Sequence, residues 1–233
     1  MKLNIPSDGT KIGHDGDKLV VPNNPIIPYI IGDGIGIDVT PVMKRVLDYA
    51  VNKAYGNSRE IKWLELYAGS NSKELYGSIL PEETIEAMKE YRISIKGPLT
   101  TPIGKGHKSI NVQIRQKLDL FACVRPIKYF PGTSTPMAES GLTDMVVFRE
   151  NTEDLYSGIE WEPNSPGAKR IIDFINKELG HSPFRFEDNC GIGIKPVSEE
   201  GTKRLIRMAI DYSLALNKSS ITVVHKGNIM KYT

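Results

Sequence analysis

Apolar and polar positions along this chain change period several times, and each change predicts an element. An apolar run at Pro28–Ile31 enters a loop with glycines at 32, 34 and 36 and reads as a first strand with its turn. Thr40-Pro41 reads as a helix start. Val42, Met43, Val46, Leu47, Ala50, Val51 and Ala54 then recur at helical spacing until Gly56-Asn57, which predicts a helix over about 40–55. Residues 61–67 ("IKWLELY") read as a strand, Pro81–Glu90 as a helix opened by proline and acids, and "YRISIKGP" as a strand ending at Gly97-Pro98. Strands alternating with helices predict an α/β architecture with largely parallel strands.

Beyond a loop over 97–109, the pattern predicts a short helix at 110–118 and two buried strands, "DLFACVRP" and "DMVVFREN" (144–151). A short alternating piece at 156–161 breaks this rhythm. A helix near 166–179 follows, with Ile171, Ile172, Ile175 and Leu179 on one face and Gly180 as its stop, and then a strand-like "CGIGIKPV" (190–197). Together these read as an insertion. Ser198, Glu199 and Glu200 cap a long helix through Leu216, and "SITVVHKGN" (220–228) reads as a returning strand that ends in His225, Lys226 and Asn228.

Composition adds exclusions. With 39% hydrophobic and 25% charged residues, the 233-residue chain has the make-up of a globular protein with one or two domains. No apolar run is long enough to span a bilayer, and "MKLNIPSDGT" lacks the apolar centre of a signal peptide, so a cytoplasmic location without membrane partners is expected. A net charge of +2 with no basic block gives no reason to expect nucleic acid. Cys123 and Cys190, both in apolar stretches, are expected to be buried thiols.

The glycine loop raises the question of nucleotide binding. A dinucleotide fingerprint needs Gly-x-Gly-x-x-Gly, but Ile37 or Val39 stands where the third glycine belongs. Asp33 lies between Gly32 and Gly34, where its charge would oppose a phosphate. The loop therefore reads as a tight turn from a buried strand into a helix.

Chemistry concentrates elsewhere, at strand ends and in the 97–109 loop: Lys96, Thr100, Thr101, Ser109, Asn111, Arg115, Arg125, Arg149, Tyr156 and Lys226. Open α/β sheets place ligands beyond the carboxyl ends of their strands. A guanidinium fork matches a carboxylate, so three arginines suit a substrate with two or three carboxylates, although each alone also reads as an ordinary ion-pair partner. Phosphate on Ser109 would add about 1.5 to 2 negative charges there and should abolish binding of such a substrate.

The segments "KGPLTTP", "KSINVQIRQKLDLFACVRP", "TDMVVFRENTEDLYSGIEW", "CGIGIKPVSEEGTKRL" and "TVVHKGNIMKYT" resemble the N-terminal portion of bacterial-type NADP-dependent isocitrate dehydrogenases, in the β-decarboxylating isocitrate/isopropylmalate dehydrogenase family. The resemblance implies large and small α/β domains with an inserted clasp, incomplete at the C-terminus. It places the first part of the large domain at 1–121, parts of the small domain at 122–153 and 199–233, and the clasp at 154–198, intertwined with that of a second copy in a homodimer. It implies oxidative decarboxylation of isocitrate in the tricarboxylic acid cycle, with NADP and Mg2+ or Mn2+. By resemblance Ser109, Asn111, Arg115, Arg125 and Arg149 hold the substrate carboxylates; Thr100, with Lys96, Leu99 and Asn228, meets the cofactor; Tyr156 and Lys226 are the acid–base pair, the lysine crossing to the partner subunit. Metal ligands and the NADP-selecting residues are expected from a C-terminal portion beyond Thr233, and His107 and His225 offer no metal-ligand spacing in their place. The 233-residue chain is accordingly expected to be inactive and poorly soluble alone. A non-catalytic dimerising fragment and an enzyme for another malate-like acid are the other readings.

Overall fold

The computed structural model describes residues 3–16, 18–100, 109–180 and 184–233. The chain divides into two compact units, Met1–Leu118 and Asp119–Thr233.

In the first unit an antiparallel pair, β1 (Gly13–Asp15) and β2 (Lys18–Val20), precedes a three-stranded parallel sheet. Its centre is β3 (Ile26–Ile30), flanked by β4 (Lys62–Leu66) and β5 (Ile95–Lys96). All five residues of β3 are buried, as a strand covered on both faces must be. Pro28 is tolerated at its centre for a topological reason. Ile26 donates its N–H to Thr10 O, and Ile30 O accepts from Gly97, so Pro28 faces the same edge, in the gap between those partners.

Four helices serve this sheet: α1 (Gly36–Tyr55), α2 (Ser70–Tyr76), α3 (Glu82–Tyr91) and α4 (Ile110–Lys117). The core joins Ile26, Ile30, Leu64 and Leu66 of the sheet to Ile85, Met88 and Tyr91 of α3 and Ile110 and Ile114 of α4. Helix α1 starts earlier than Thr40-Pro41 predicts, because the glycine turn runs directly into it. Gly36 N–H bonds Asp33 O, and the Thr40 hydroxyl donates to Ile31 O at 2.8 Å from inside the helix. Its expected apolar face is also only partly inward: Met43, Leu47 and Val51 are half-buried, whereas Val42, Val46, Ala50 and Ala54 are exposed. The predicted strand over "YRISIKGP" shrinks to Ile95–Lys96, since Arg92 takes a positive φ of 67° and Ile93 N–H turns back to Tyr91 O.

In the second unit, β6 (Ala122–Lys128) and β7 (Asp144–Glu150) form an antiparallel ribbon. Two buried strands were expected here. The two-stranded ribbon instead leaves β6 as an edge that accommodates Pro126, with Val124 through Lys128 exposed. The insertion supplies a second pair, β8 (Ile159–Trp161) against β9 (Ile192–Ile194), and α5 (Pro166–Lys177). Helix α6 (Glu199–Ala215) follows Ser198, as expected of that cap. The segment 220–228 is not a strand: its β-prone composition finds no ladder of hydrogen bonds. Ile221, Thr222 and Val224 line a cavity of about 480 Å³ with β7 and α6, and Lys218 pairs with Asp144 at 3.1 Å. Both cysteines are free and half-buried rather than buried. Among the described residues no helix is long and apolar enough to cross a membrane.

Candidate functional site

Each unit gathers one group of the residues singled out above. In the first unit, three loops leave the carboxyl ends of β3, β4 and β5. Asp33 lies in the first of them. Its Oδ1 accepts from Ser70 N–H and its Oδ2 from Thr100 N–H, both at 2.8 Å, and its own N–H donates to Pro98 O at 2.6 Å. Glycine makes this approach possible: Gly32 has φ +95°, and a Cβ there would stand 2.3 Å from Pro98 O. The turn's Asp33 and Gly36 amides are thus spent within the protein, and a carboxylate occupies its centre.

Lys96 closes β5 and donates to Gly97 O at 2.7 Å. Its ammonium is held below the usual lysine range, first by loss of surrounding water and then by the Arg115 guanidinium, with the Asp33 charge pulling the other way. Lys96, Arg115 and Asp33 therefore share one electrostatic neighbourhood. Helix α4 explains how Arg115 comes to face it: Ile110 and Ile114 turn into the core, while Asn111 and Arg115, four apart, take another face. Ser109 holds the N-cap position of that helix. Among the described residues Asn111 Oδ1 is buried without a hydrogen-bond partner, as an acceptor waiting for a donor would be. Thr100 is exposed, whereas Leu99 belongs to the core, 8% exposed, so only its backbone is left for a ligand. Thr101 and His107 lie outside the described residues.

In the second unit, strand register does the positioning. Cys123 opposes Arg149 and Arg125 opposes Val147, so Arg125 and Arg149 are diagonal neighbours on one face of the ribbon. Arg125 Nε donates to Cys123 Sγ at 3.2 Å, and the Arg149 guanidinium stacks 4.7 Å from the centre of the Tyr156 ring. Two forks and a phenol are thereby brought together. Lys226 and Asn228 lie in an exposed turn, where Asn228 N–H bonds Lys226 O.

Tyr156 sits in a single 3-10 turn, Asp154–Ser157, tied down by groups that the sequence reading did not single out. Asp154 N–H donates to Pro196 O at 2.9 Å, and Glu153 accepts from Ser198 N–H at 2.8 Å and from its hydroxyl at 2.5 Å. Ser198 Oγ in turn accepts from Gly201 N–H at 2.9 Å. This is a capping box whose acid comes from another segment. Gly201 occupies the position where the box normally carries its own Glu, and a Cβ there would fall 2.6 Å from Glu153 Oε2. That glycine, three residues after a capping serine, is the signal by which Glu153 could have been found. Glu150 completes the anchor, accepting from Thr152 N–H, the Thr152 hydroxyl and Glu153 N–H. Burial pushes its carboxyl up, but these bonds outweigh burial and hold its pKa below the usual value.

Among the described residues no three His, Cys, Asp or Glu side chains gather as a metal ion requires. The Thr100 hydroxyl and Lys96 ammonium suit the uncharged carboxamide of a nicotinamide. The acidic glycine turn does not suit its phosphates.

Known proteins resemble this chain in sequence and fold. The family model for isocitrate/isopropylmalate dehydrogenase covers residues 26–233. The chain is 57% identical to isocitrate dehydrogenase (NADP) 1 of Colwellia maris and 53% identical to isocitrate dehydrogenase (NADP) of Pseudomonas aeruginosa, each match covering 100% of this chain and 56% of the relative. It thus spans little more than half the length of these relatives. Among solved structures, isocitrate dehydrogenase from Methylococcus capsulatus superposes with a TM-score of 0.69 at 34% identity, over 89% of this chain and 53% of that one. A β-decarboxylating dehydrogenase from Thermococcus kodakarensis gives 0.55 at 25% identity, over 88% of this chain and 50% of that one.

Proposed function

The chain belongs to the isocitrate/isopropylmalate dehydrogenase family and has its α/β fold, and from that premise we propose that it carries the substrate-holding part of an NADP-dependent isocitrate dehydrogenase. The observation that supports this most strongly is the pair Arg125 and Arg149 on one ribbon face with Tyr156 stacked on Arg149. Two planar forks suit carboxylates, and a phenol beside them suits proton delivery.

In this reading Arg125, Arg149 and Arg115 hold carboxylates of isocitrate, and Ser109 and Asn111 add hydroxyl and amide contacts. Their donors distinguish isocitrate from an apolar relative such as isopropylmalate, because an unmatched polar group in the site is costly. Thr100 and Lys96, with Asn228 and the Leu99 backbone, meet the cofactor. When bound, NADP would supply the acceptor for the hydride of the substrate's secondary alcohol. Lys226 of a second copy takes the hydroxyl proton as the hydride leaves, Tyr156 donates its own proton to the carbon that loses carbon dioxide, and Lys226 returns the proton it took to Tyr156. The 154–198 insertion is the clasp of the homodimer. Phe174 and Leu179, 53% and 51% exposed, are apolar groups for that contact to cover. The large domain runs to about 121, and the small domain takes 122–153 and 199–233. The reaction belongs in the cytoplasm and the tricarboxylic acid cycle, with Mg2+ or Mn2+ held by residues outside this chain.

Calorimetric titration of the 233-residue protein with isocitrate and with isopropylmalate tests the reading. Isocitrate should bind and isopropylmalate should not, and Arg149→Ala should weaken isocitrate by about tenfold to a hundredfold, the worth of a charged hydrogen-bonded contact. Equal binding of both acids, or an unchanged affinity in Arg149→Ala, would overturn it. Clasp-driven dimerisation without turnover is the competing reading, which metal-dependent NADPH formation by this chain would eliminate.

A further inference from the structure

The glycine turn after β3 remains without a role once phosphate binding is set aside, yet it holds a carboxylate with an unusual set of partners. Both Asp33 oxygens are used, each by the amide of a different loop, Ser70 beyond β4 and Thr100 beyond β5. The strands are parallel and adjacent in the order β4-β3-β5, so all three loops leave the same edge of the sheet. That edge is where open α/β sheets meet their ligands. A third bond, from Asp33 N–H to Pro98 O, fixes the turn to the β5 loop from the backbone side.

We infer that Asp33 is a positioning residue for the cofactor segment, its carboxylate fixing the Thr100 backbone by tying together the loops that follow β3, β4 and β5. The role in cofactor binding rests on the reading that Thr100 meets the nicotinamide. Four features support the clamp. An ionised carboxylate makes stronger bonds to amides than a neutral acceptor does, so a charge in this turn is explained by what it holds. Thr100 is exposed and follows Leu99, whose side chain is fixed in the core, so the Asp33 bond governs the residue just where packing stops. Gly69 has φ +84°, and a Cβ there would lie 2.6 Å from Asp33 Oδ1, so the β4 loop leaves room for the carboxylate. Lys96 feels the Asp33 charge, which places the clamp beside the cationic group at the end of β5.

The chemistry sets the test. Asn in place of Asp33 keeps shape and packing but offers one acceptor oxygen and one donor amide, so it cannot accept from both loops. Amide hydrogen exchange followed by NMR on the 233-residue protein should show Ser70 and Thr100 protected. Asp33→Asn should lower protection at one or both by about tenfold to a hundredfold, with the amides of β3 and β4 unchanged. Gly69→Ala, which drives a methyl into the carboxylate, should act the same way. Wild-type Thr100 exchanging as fast as an unstructured amide would overturn the clamp, as would unchanged protection in Asp33→Asn. Uniform loss throughout the first unit would also overturn positioning, since that marks a merely structural residue. Titration with nicotinamide mononucleotide tests the functional premise separately. It should shift the Thr100 resonance in the wild type and do so more weakly in Asp33→Asn. Selective loss of protection without any nucleotide response would keep the clamp and overturn the cofactor reading; a nucleotide response with unchanged protection would do the reverse.

Discussion

In the first unit Leu64 and Ile85 have no exposed surface, and a continuous apolar core runs from the parallel sheet into α3 and α4. In the second, the buried side chains include Asn151, Ala168 and Ile172, while Phe130, Leu142 and Leu155 are 68%, 80% and 78% exposed. The difference lies in how each unit fixes its functional groups. Arg115 is aimed by the apolar face of its own helix, and Thr100 follows a core residue. Arg125, Arg149 and Tyr156 are aimed by ribbon register and by carboxylates, Glu150 and Glu153, that collect backbone and hydroxyl donors. Burial aims Arg115 and carries the chain as far as Leu99, Asp33 then fixes the Thr100 amide, and hydrogen bonding specifies the second set.

The sharpest way to break this contrast is to remove apolar volume from both units. Leu64→Ala should cost about 2 to 5 kcal/mol in denaturant unfolding, as large-to-small changes in packed cores do. Met145→Ala, on the half-exposed β7, should fall within about 0.5 kcal/mol of the wild type. A large loss at Met145 would mean that the second unit has an apolar core after all. Next in size is the composite cap. Ser198→Ala should cost about 0.5 to 2 kcal/mol, and Glu153→Ala should mobilise the Tyr156 turn, seen as faster exchange of the Asp154 amide. If Glu153→Ala leaves that exchange unchanged, Asp154's bond to Pro196 alone suffices.

Acidity separates the units in sign. Glu150 has a lowered folded pKa, so its contribution is present above the unfolded value of about 4.3 and fades as pH falls through the folded value. Tyr29 is pushed up to about 12 by burial, then by the Glu65 charge and hydrogen bond. Its contribution is complete below the unfolded value of about 10 and fades as pH rises through the folded one. Glu150→Gln should therefore flatten the acid limb of the stability profile, and Tyr29→Phe the alkaline limb. Each effect is confined to its own limb of the profile. The reverse assignment would contradict the carboxylate's anchoring role.

What was legible in the sequence follows the same division. Helix α4 showed in its period, α6 in its serine cap, and β4 in its composition, because each is decided by neighbours along the chain. The antiparallel pairing of β6 with β7 was not legible: a continuous apolar run reads the same in a buried parallel strand and an edge ribbon. Arg92's positive φ, which shortens β5, carries no periodic signal. The clamp made by Asp33 and the anchoring by Glu153 were not legible, because their partners come from distant segments. At 220–228 the β-prone pattern was real, but a strand is made by its partner.

In the proposed function Arg125 and Arg149, diagonal neighbours on one face of the ribbon, hold carboxylates of the same substrate. An isocitrate titration of the 233-residue protein, followed at the side-chain NMR resonances of both arginines, measures this directly. Both should shift together along one saturation curve, and the Arg125 response should weaken about tenfold to a hundredfold in Arg149→Ala. A response at one arginine with none at the other, or none at either up to saturating isocitrate, would contradict it.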